Sequence, residues 1–148
     1  MPTQPFRVAV AVYGILRDQD RMLLIRRAGT GYRDGQLSLP AGHLEGGEDA
    51  VTGLVRELRE ELGIEADPRS CRLALLLHSA PEDAEDREYL HLFFFVDDWR
   101  GEPSIAEPDK CNELRWTDGS ALPSDLVDYV GEALTAIRRG EPLALRGW

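Results

Sequence analysis

The stretch "RELREELGI", Arg56 to Ile64, crowds acidic side chains into a short span. Three of them, Glu57, Glu60 and Glu61, would fall within one turn of a helix, where like charges repel one another. One interpretation is a solvated charged surface in which Arg56 pairs with Glu60. The other is a divalent cation bound among the acids, since Mg²⁺ takes oxygen ligands and keeps positions for water and phosphate.

The helix predicted around this stretch runs from Glu48 to Leu62, with Glu48 in its first turn, where a carboxylate suits the helix dipole. Gly63 follows it, a residue suited to ending a helix in the left-handed conformation. The apolar residues at the spacing of one buried face are Val51, Leu54, Val55, Leu58 and Leu62. The three acids fall beside this face, at the end where the helix dipole disfavours negative charge. Both points favour a bound cation over a solvated surface.

The rest of the chain predicts strands on both sides of this helix. Runs of β-branched and aromatic residues alternate with glycine-rich or acidic loops. The predicted strands are 6–16, 22–27, 71–80, 89–99 and a short one at 112–118, and a final helix in 122–140, stopped by Gly140, is expected to close the domain. This order predicts an α/β (α+β) fold in which a mixed sheet lies between helices.

Composition narrows the classes of function. The 148 residues suit one domain with a real core, and 17 basic against 27 acidic residues give a net charge of −10. That balance argues against general nucleic-acid binding. The N-terminal segment has no basic leader and no apolar run long enough for a membrane span, so we expect a cytoplasmic protein. Cys71 and Cys111 are predicted to be free thiols.

The segment "GHLEGGEDAVTGLVRELREELGI", residues 42–64, resembles the Nudix box. That pattern is a Gly, five residues, a Glu, seven residues, then Arg-Glu-aliphatic-any-Glu-Glu-any-Gly-aliphatic. The nine matching positions are Gly42, Glu48, Arg56, Glu57, Leu58, Glu60, Glu61, Gly63 and Ile64. The resemblance implies a single Nudix domain over residues 1–148, built as an α/β/α sandwich. It also implies hydrolysis of a nucleoside diphosphate linked to another group, with Mg²⁺ or Mn²⁺ required.

The resemblance assigns a role to each box position. Glu57, Glu60 and Glu61 would hold the metal, joined by the carbonyl of Gly42, and Glu57 is the first candidate for a general base. Leu58 and Ile64 would be core residues. A second pair, Glu48 and Arg56, would brace the loop against the helix. Downstream of the box, Glu107 matches a glutamate that reaches the metal in MutT-like enzymes; the alternative is an ordinary loop acid.

Substrate contacts are predicted outside the acid cluster. An arginine fork suits phosphate, which makes Arg27 the candidate and Arg26 the fallback, with solvation at a sheet edge as the alternative. Lys110 either contacts phosphate or is solvated, and His43 is expected to face the substrate. Asp125 stands where relatives often carry an amide that contacts the base, and this departure leaves base specificity open.

Aromatic and histidine side chains complete the candidates. The rings that could stack on a base are those of Tyr32, Phe94 and Trp116, although core packing is favoured for Phe94. His78 and His91 lie within strand patterns and are expected to be structural.

Several hypotheses of function follow from the resemblance. The favoured one is the MutT-like branch, in which a (d)NTP is hydrolysed to a nucleoside monophosphate and pyrophosphate. An ADP-ribose or nucleotide-sugar diphosphatase comes second, because Ala41 and Pro81 match features of those enzymes. A nucleotide-binding domain without catalysis and a purely structural acidic helix are the remaining alternatives. The resemblance is also compatible with a homodimer and with a small-molecule nucleotide as the main partner.

Overall fold

A mixed β-sheet lies between two helices. The computed structural model describes residues 4–148, and its helices are α1 (Ala50–Leu62) and α2 (Asp128–Arg138). The strands are β1 (Ala9–Asp18), β2 (Arg21–Arg27), β3 (Leu37–Ser38), β4 (Ala41–His43), β5 (Glu65–Ala66), β6 (Cys71–Ser79), β7 (Tyr89–Val96), β8 (Trp99–Arg100), β9 (Cys111–Asp118) and β10 (Leu143–Arg146). A short 3₁₀ helix, Pro68–Ser70, precedes β6.

The strand order of the main sheet is β10-β6-β7-β1-β2-β3, with β4 also paired to β1 and β9 to β2. The pairs β1–β7 and β6–β10 are parallel, and the other pairs are antiparallel. Strands β5 and β8 form a separate antiparallel pair. The predicted mixed sheet between helices is therefore confirmed.

Strand β1 lies at the centre of the sheet and contributes buried side chains to both of its faces. Val12 and Leu16 belong to the core cluster that includes the apolar face of α1, whereas Tyr13 and Ile15 belong to the cluster that includes α2. Because successive side chains of a strand point to opposite faces, a strand covered on both sides must be apolar at every position. This explains the unbroken apolar run in the sequence of β1.

Helix α1 begins later than the sequence predicts. The side chain of Asp49 accepts a hydrogen bond from the backbone N–H of Thr52 at 2.8 Å and so caps a helix whose first residue is Ala50. Glu48 lies before this cap, and its predicted place in the first turn was wrong. The predicted end was correct, since Gly63 follows Leu62 with φ of 69°.

The C-terminal helix does not close the domain. Helix α2 is shorter than the predicted segment, and β10 follows it and pairs in parallel with β6. The predicted short strand at 112–118 is an eight-residue strand, β9. Both cysteines are free thiols, as predicted. Between residues 4 and 148, no helix is long and apolar enough to cross a membrane.

Candidate active site

The acids of α1 meet strand β4 at Gly42. A Cβ built on Gly42 would overlap the carboxylate of Glu57, so this helix side chain fills the space that a side chain on the strand would need. Glu61 is buried, and its carboxylate accepts a hydrogen bond from the backbone N–H of Ala41 at 3.1 Å. Glu60 is exposed. Helix α1 and β4 thus place two partly or fully buried carboxylates side by side.

The segment between β8 and β9 brings a fourth acid to this place. The N–H of Ser104 donates to the carbonyl of Leu62 at 3.0 Å, and the N–H of Ala106 donates to the carbonyl of Glu61 at 3.1 Å. These bonds satisfy carbonyls that the last turn of a helix leaves without partners. The chain then turns at Glu107, whose negative charge contributes to raising the pKa of both Glu57 and Glu61.

Burial and like charge act together on these carboxyls. Burial, followed by the charges of Glu57 and Glu107, raises the pKa of Glu61 to about 8, although the N–H of Ala41 opposes the shift. Burial also raises the pKa of Glu57, with further contributions from Glu60 and Glu107, against the effect of Arg56. The ionised cluster is therefore disfavoured unless positive charge is added.

Arg56 ties the loop before α1 to the acids. Its guanidinium donates to both carboxylate oxygens of Glu48 at 2.9 and 2.8 Å and to the carbonyl of His43 at 3.2 Å. It also donates to Glu57 at 2.9 Å and to Glu60 at 3.3 Å. The hydrogen bonds with Arg56 hold the pKa of Glu48 down at about 2. The brace between Glu48 and Arg56 that the resemblance implies is present.

The donor set fits a hard divalent cation. Within residues 4–148, no three acid, histidine or cysteine side chains already converge on one point as metal ligands. In this arrangement Arg56 holds the carboxylates of Glu57 and Glu60. The donors are all oxygens, burial and neighbouring charge raise the pKa values of Glu57 and Glu61, and Gly42 leaves room for the carboxylate of Glu57. Carboxylate oxygens in such surroundings match the ligand preference of Mg²⁺.

Three of the candidate substrate residues lie at this cluster. The guanidinium of Arg27 donates to the carbonyl of Tyr32 at 2.8 Å, and its charge acts on both Glu61 and His43. His43 Nε2 lies 3.0 Å from the hydroxyl of Tyr89. Burial lowers the pKa of His43, and the charges of nearby arginines lower it further. Lys110 Nζ lies 3.4 Å from Glu107. Positive charge therefore flanks the acids.

Arg26 and Asp125 lie in a different cluster. Arg26 donates to Glu113, to the carbonyl of Gly35 and to Asp125, each at 2.8 Å. These contacts join β2, β9 and the segment before α2, and none of them reaches an acid of α1. Asp125 is thus an ion-paired carboxylate, and its predicted contact with a base stays a prediction.

The three candidates for stacking on a base differ in burial. Phe94 is buried in the core on the α1 side, as favoured from the sequence, and Trp116 packs with Trp99 at a ring-centroid distance of 6.2 Å. Tyr32 is 46% exposed.

The two structural histidines are also explained. His91 is buried and lies 2.9 Å from both the Tyr13 hydroxyl and the Ser79 hydroxyl. His78 pairs with Glu88 at 2.6 Å. Sequence reasoning missed Tyr89, the partner of His43, because nothing local in the sequence links residues that lie 46 positions apart.

Comparison with known proteins identifies the family that this chain matches. The NUDIX domain model matches residues 5–137 of this chain. The chain is 31% identical over 121 residues to an ADP-ribose pyrophosphatase of Methanocaldococcus jannaschii, covering 82% of this chain and 68% of the relative. It is 34% identical over 98 residues to an 8-oxo-dGTP diphosphatase of Escherichia coli, covering 66% and 71%. A solved MutT NUDIX hydrolase from Burkholderia pseudomallei superposes with a TM-score of 0.77 at 26% identity, covering 88% of this chain and 98% of that one.

Proposed function

Since this chain belongs to the Nudix hydrolase family, we propose that it hydrolyses the pyrophosphate bond of a nucleoside diphosphate linked to another group, with Mg²⁺ or Mn²⁺ as cofactor. The favoured substrate is a (d)NTP, which would give a nucleoside monophosphate and pyrophosphate. One observation carries the proposal: Glu57 lies against Gly42 and buried Glu61 against Ala41, and the charges of these two acids and of Glu107 repel one another without a cation.

Glu57, Glu60 and Glu61 would hold the cation, with the carbonyl of Gly42 and the carboxylate of Glu107 as further ligands. A bound divalent ion neutralises phosphate oxygens and lowers the pKa of bound water. The acids of the box would position the metal and the water, and they would take little part in covalent chemistry.

Other side chains of the site would orient the reactants. Arg56 keeps Glu57 and Glu60 in place, while Arg27 and Lys110 offer positive charge to the phosphates. Glu57 is our first candidate for the general base, because it lies beside Gly42 among the acids that would hold the cation and its water.

A second candidate substrate is supported by a specific observation. The relative that aligns over 121 residues of this chain is named an ADP-ribose pyrophosphatase, and Ala41 resembles the residue that such enzymes carry at this point of the loop. Hydrolysis of ADP-ribose or of a nucleotide sugar would use the same acids, because the pyrophosphate bond is the same. The two candidates differ in the group that is linked to the nucleoside diphosphate, which is a third phosphate in a (d)NTP and a sugar in the others.

A product panel tests the proposal. The protein is incubated with Mg²⁺ and, separately, the common and oxidised (d)NTPs, ADP-ribose and nucleotide sugars, and the products are identified by mass spectrometry. We expect nucleoside monophosphate and pyrophosphate from a (d)NTP. Phosphosugar products without triphosphate turnover would replace the first candidate with the second. A protein inert on the whole panel with both Mg²⁺ and Mn²⁺ would instead support a nucleotide-binding domain without catalysis.

We also propose that the whole chain forms one catalytic domain. The support is that the family match spans residues 5–137 and that both helices pack on the same sheet. Limited proteolysis followed by mass spectrometry tests this, with a single resistant fragment that keeps both helices as the expected result.

A further inference from the structure

The loop between β2 and β3, residues 28–36, is folded on itself. The carboxylate of Asp34 accepts hydrogen bonds from the N–H groups of Thr30 and Gly31 at 3.1 and 2.8 Å, and from the Thr30 hydroxyl at 2.6 Å. Every second residue has positive φ, namely Gly29 (65°), Gly31 (81°), Arg33 (54°) and Gly35 (85°). Asp34 therefore ties its own end of the loop to Thr30 and Gly31, and Tyr32 and Arg33 lie between these bonded positions.

Arg33 is the residue that attaches this unit to the rest of the chain. One terminal nitrogen donates to Asp128 at 2.8 Å, and the other donates to both oxygens of Glu82 at 2.8 and 3.0 Å. Only 19% of the Arg33 side chain is exposed, whereas its partners Glu82 and Asp128 are 41% and 53% exposed. A non-glycine residue with positive φ is uncommon, and here the fork of contacts offsets the strain.

A second arginine holds the partners of Arg33 in place. Arg146 of β10 donates to Glu132 at 2.6 Å and to Asp128 at 3.0 Å, and it lies 3.5 Å from Glu82. Both acids that Arg33 contacts are thereby fixed from the opposite side. The network joins the loop to α2, to β10 and to the acidic loop that follows β6.

This attachment determines the place of the Tyr32 ring. The guanidinium carbons of Arg27 and Arg33 lie 5.6 and 5.4 Å from its centroid, and Arg33 also lies 5.7 Å from the ring of Tyr129. The ring of Tyr129 lies 5.2 Å from that of His91, and the ring of His91 lies 5.2 Å from that of Tyr89. Tyr89 contacts His43, the neighbour of Gly42. Tyr32 is therefore connected, through Arg33 and this row of rings, to the residue next to Gly42.

We propose that Arg33 is a positioning residue that holds Tyr32 as a stacking surface for the base of a nucleotide substrate. This inference rests on the proposed function and names its substrate class: compounds with an aromatic base, as opposed to polyphosphates without one. The partly exposed ring of Tyr32 offers a stacking face, and a base can stack on any aromatic face without further recognition. Arg27 lies 5.6 Å from the centre of this ring, so its guanidinium would be available to the phosphates of a substrate whose base stacks on Tyr32.

The test combines steady-state kinetics with binding. Arg33→Gln and Tyr32→Ala should each raise KM for the nucleotide about 10-fold, the size expected for losing one stacked base, and leave kcat within about 2-fold. The Kd of a non-hydrolysable α,β-methylene nucleoside triphosphate with Mg²⁺, measured by calorimetry, should rise by the same factor. Tyr32→Phe should resemble the wild type, and Arg33→Lys should restore part of the loss, since lysine keeps the charge but not the fork.

Arg17→Gln is the matched control. Arg17 also makes two hydrogen bonds to a carboxylate, Asp97, and lies 3.8 Å over the ring of Phe95, but it lies near the C-terminal end of β1, away from Val12, which pairs with Gly42. It should leave KM and Kd unchanged. If Arg33→Gln and Tyr32→Ala also leave both values unchanged while the wild type turns over nucleotide, the inference alone fails. A wild type that neither binds nor hydrolyses nucleotide overturns the proposed function and this inference together.

Discussion

The carboxylate of Glu57 occupies the space that a side chain on Gly42 would need. The glycine belongs to β4 and pairs with Val12 of the central strand, so its backbone is fixed by the sheet. The glutamate belongs to α1. Because Gly42 has no side chain, the carboxylate of Glu57 can approach the backbone of β4 closely. The carbonyl of Gly42 and the carboxylate of Glu57 are both proposed metal ligands.

Gly42→Ala should reduce kcat/KM by about 100-fold or more with little loss of stability. The added methyl group would push away the flexible end of Glu57, which costs the fold little but displaces a group that must be accurately placed. Gly46→Ala is the control, since a methyl group at Gly46 would meet no other atom within 4 Å and its backbone lies outside the left-handed region. Thermal unfolding and kinetics of both variants check the prediction, and equal activity would contradict it.

Glu61→Gln should make the metal-free protein more stable at pH 8, and Mg²⁺ should then raise its Tm less than it raises that of the wild type. The buried carboxyl has its pKa raised to about 8, so its penalty on the folded state is absent below about pH 4.5 and grows as the pH rises toward 8. A glutamine still accepts the N–H of Ala41 but carries no charge. Differential scanning fluorimetry in EDTA should show a Tm about 5 °C above that of the wild type. A lower Tm in EDTA would argue against a strained carboxylate.

Glu48→Gln should raise the Mg²⁺ concentration needed for half-maximal activity about 10-fold. The reason is that Arg56 would lose its charged partner and compete with the cation for Glu57 and Glu60. Glu45→Gln is the matched control, since Glu45 is exposed and its carboxylate lies 3.7 Å from Arg56. Titrating activity against Mg²⁺ measures the effect. Identical titrations for the two variants would show that the brace does not support the acids.

The buried ring of His91 should make the fold sensitive to acid. Burial lowers the pKa of His91 to about 4, below its usual value of about 6.5, so the folded state holds the neutral ring while the unfolded chain takes up a proton. The stability from the neutral ring is complete above pH 6.5 and is lost as the pH falls toward 4, a change on the order of 3 kcal/mol. Denaturant unfolding of the wild type and His91→Gln should show the two free energies converging over this range; parallel curves would contradict the prediction.

Much of the fold and the acid cluster could be predicted from the sequence, because the signals are local. The apolar face of α1, its end at Gly63 and the acids beside that face all lie within one continuous segment. Its first residue was misplaced because Asp49, the neighbour of Glu48, provides the cap. Strand β10 was missed because four residues are too few to show a periodic pattern, and its pairing with β6 makes it a strand.

The remaining parts of the site depend on contacts between distant segments. Arg26 meets Asp125 across 99 positions, and Arg33 meets Asp128 across 95. Spacing in the sequence contains no information about such pairs, since they form only when the sheet brings β2, its loop and α2 together. Glu107 could be suggested only by resemblance, and its position near the acids depends on the bonds of Ser104 and Ala106 to the end of α1.

The most direct test of the central claim is the turnover of Glu57→Gln and Glu61→Gln on the substrate identified by the product panel, across a titration of Mg²⁺. Each variant should lose several orders of magnitude in kcat at saturating Mg²⁺ while remaining folded, because each lacks a proposed metal ligand and no core packing. Glu45→Gln should match the wild type. Wild-type kcat in either glutamine variant would contradict the assignment of the α1 acids as the metal-binding site.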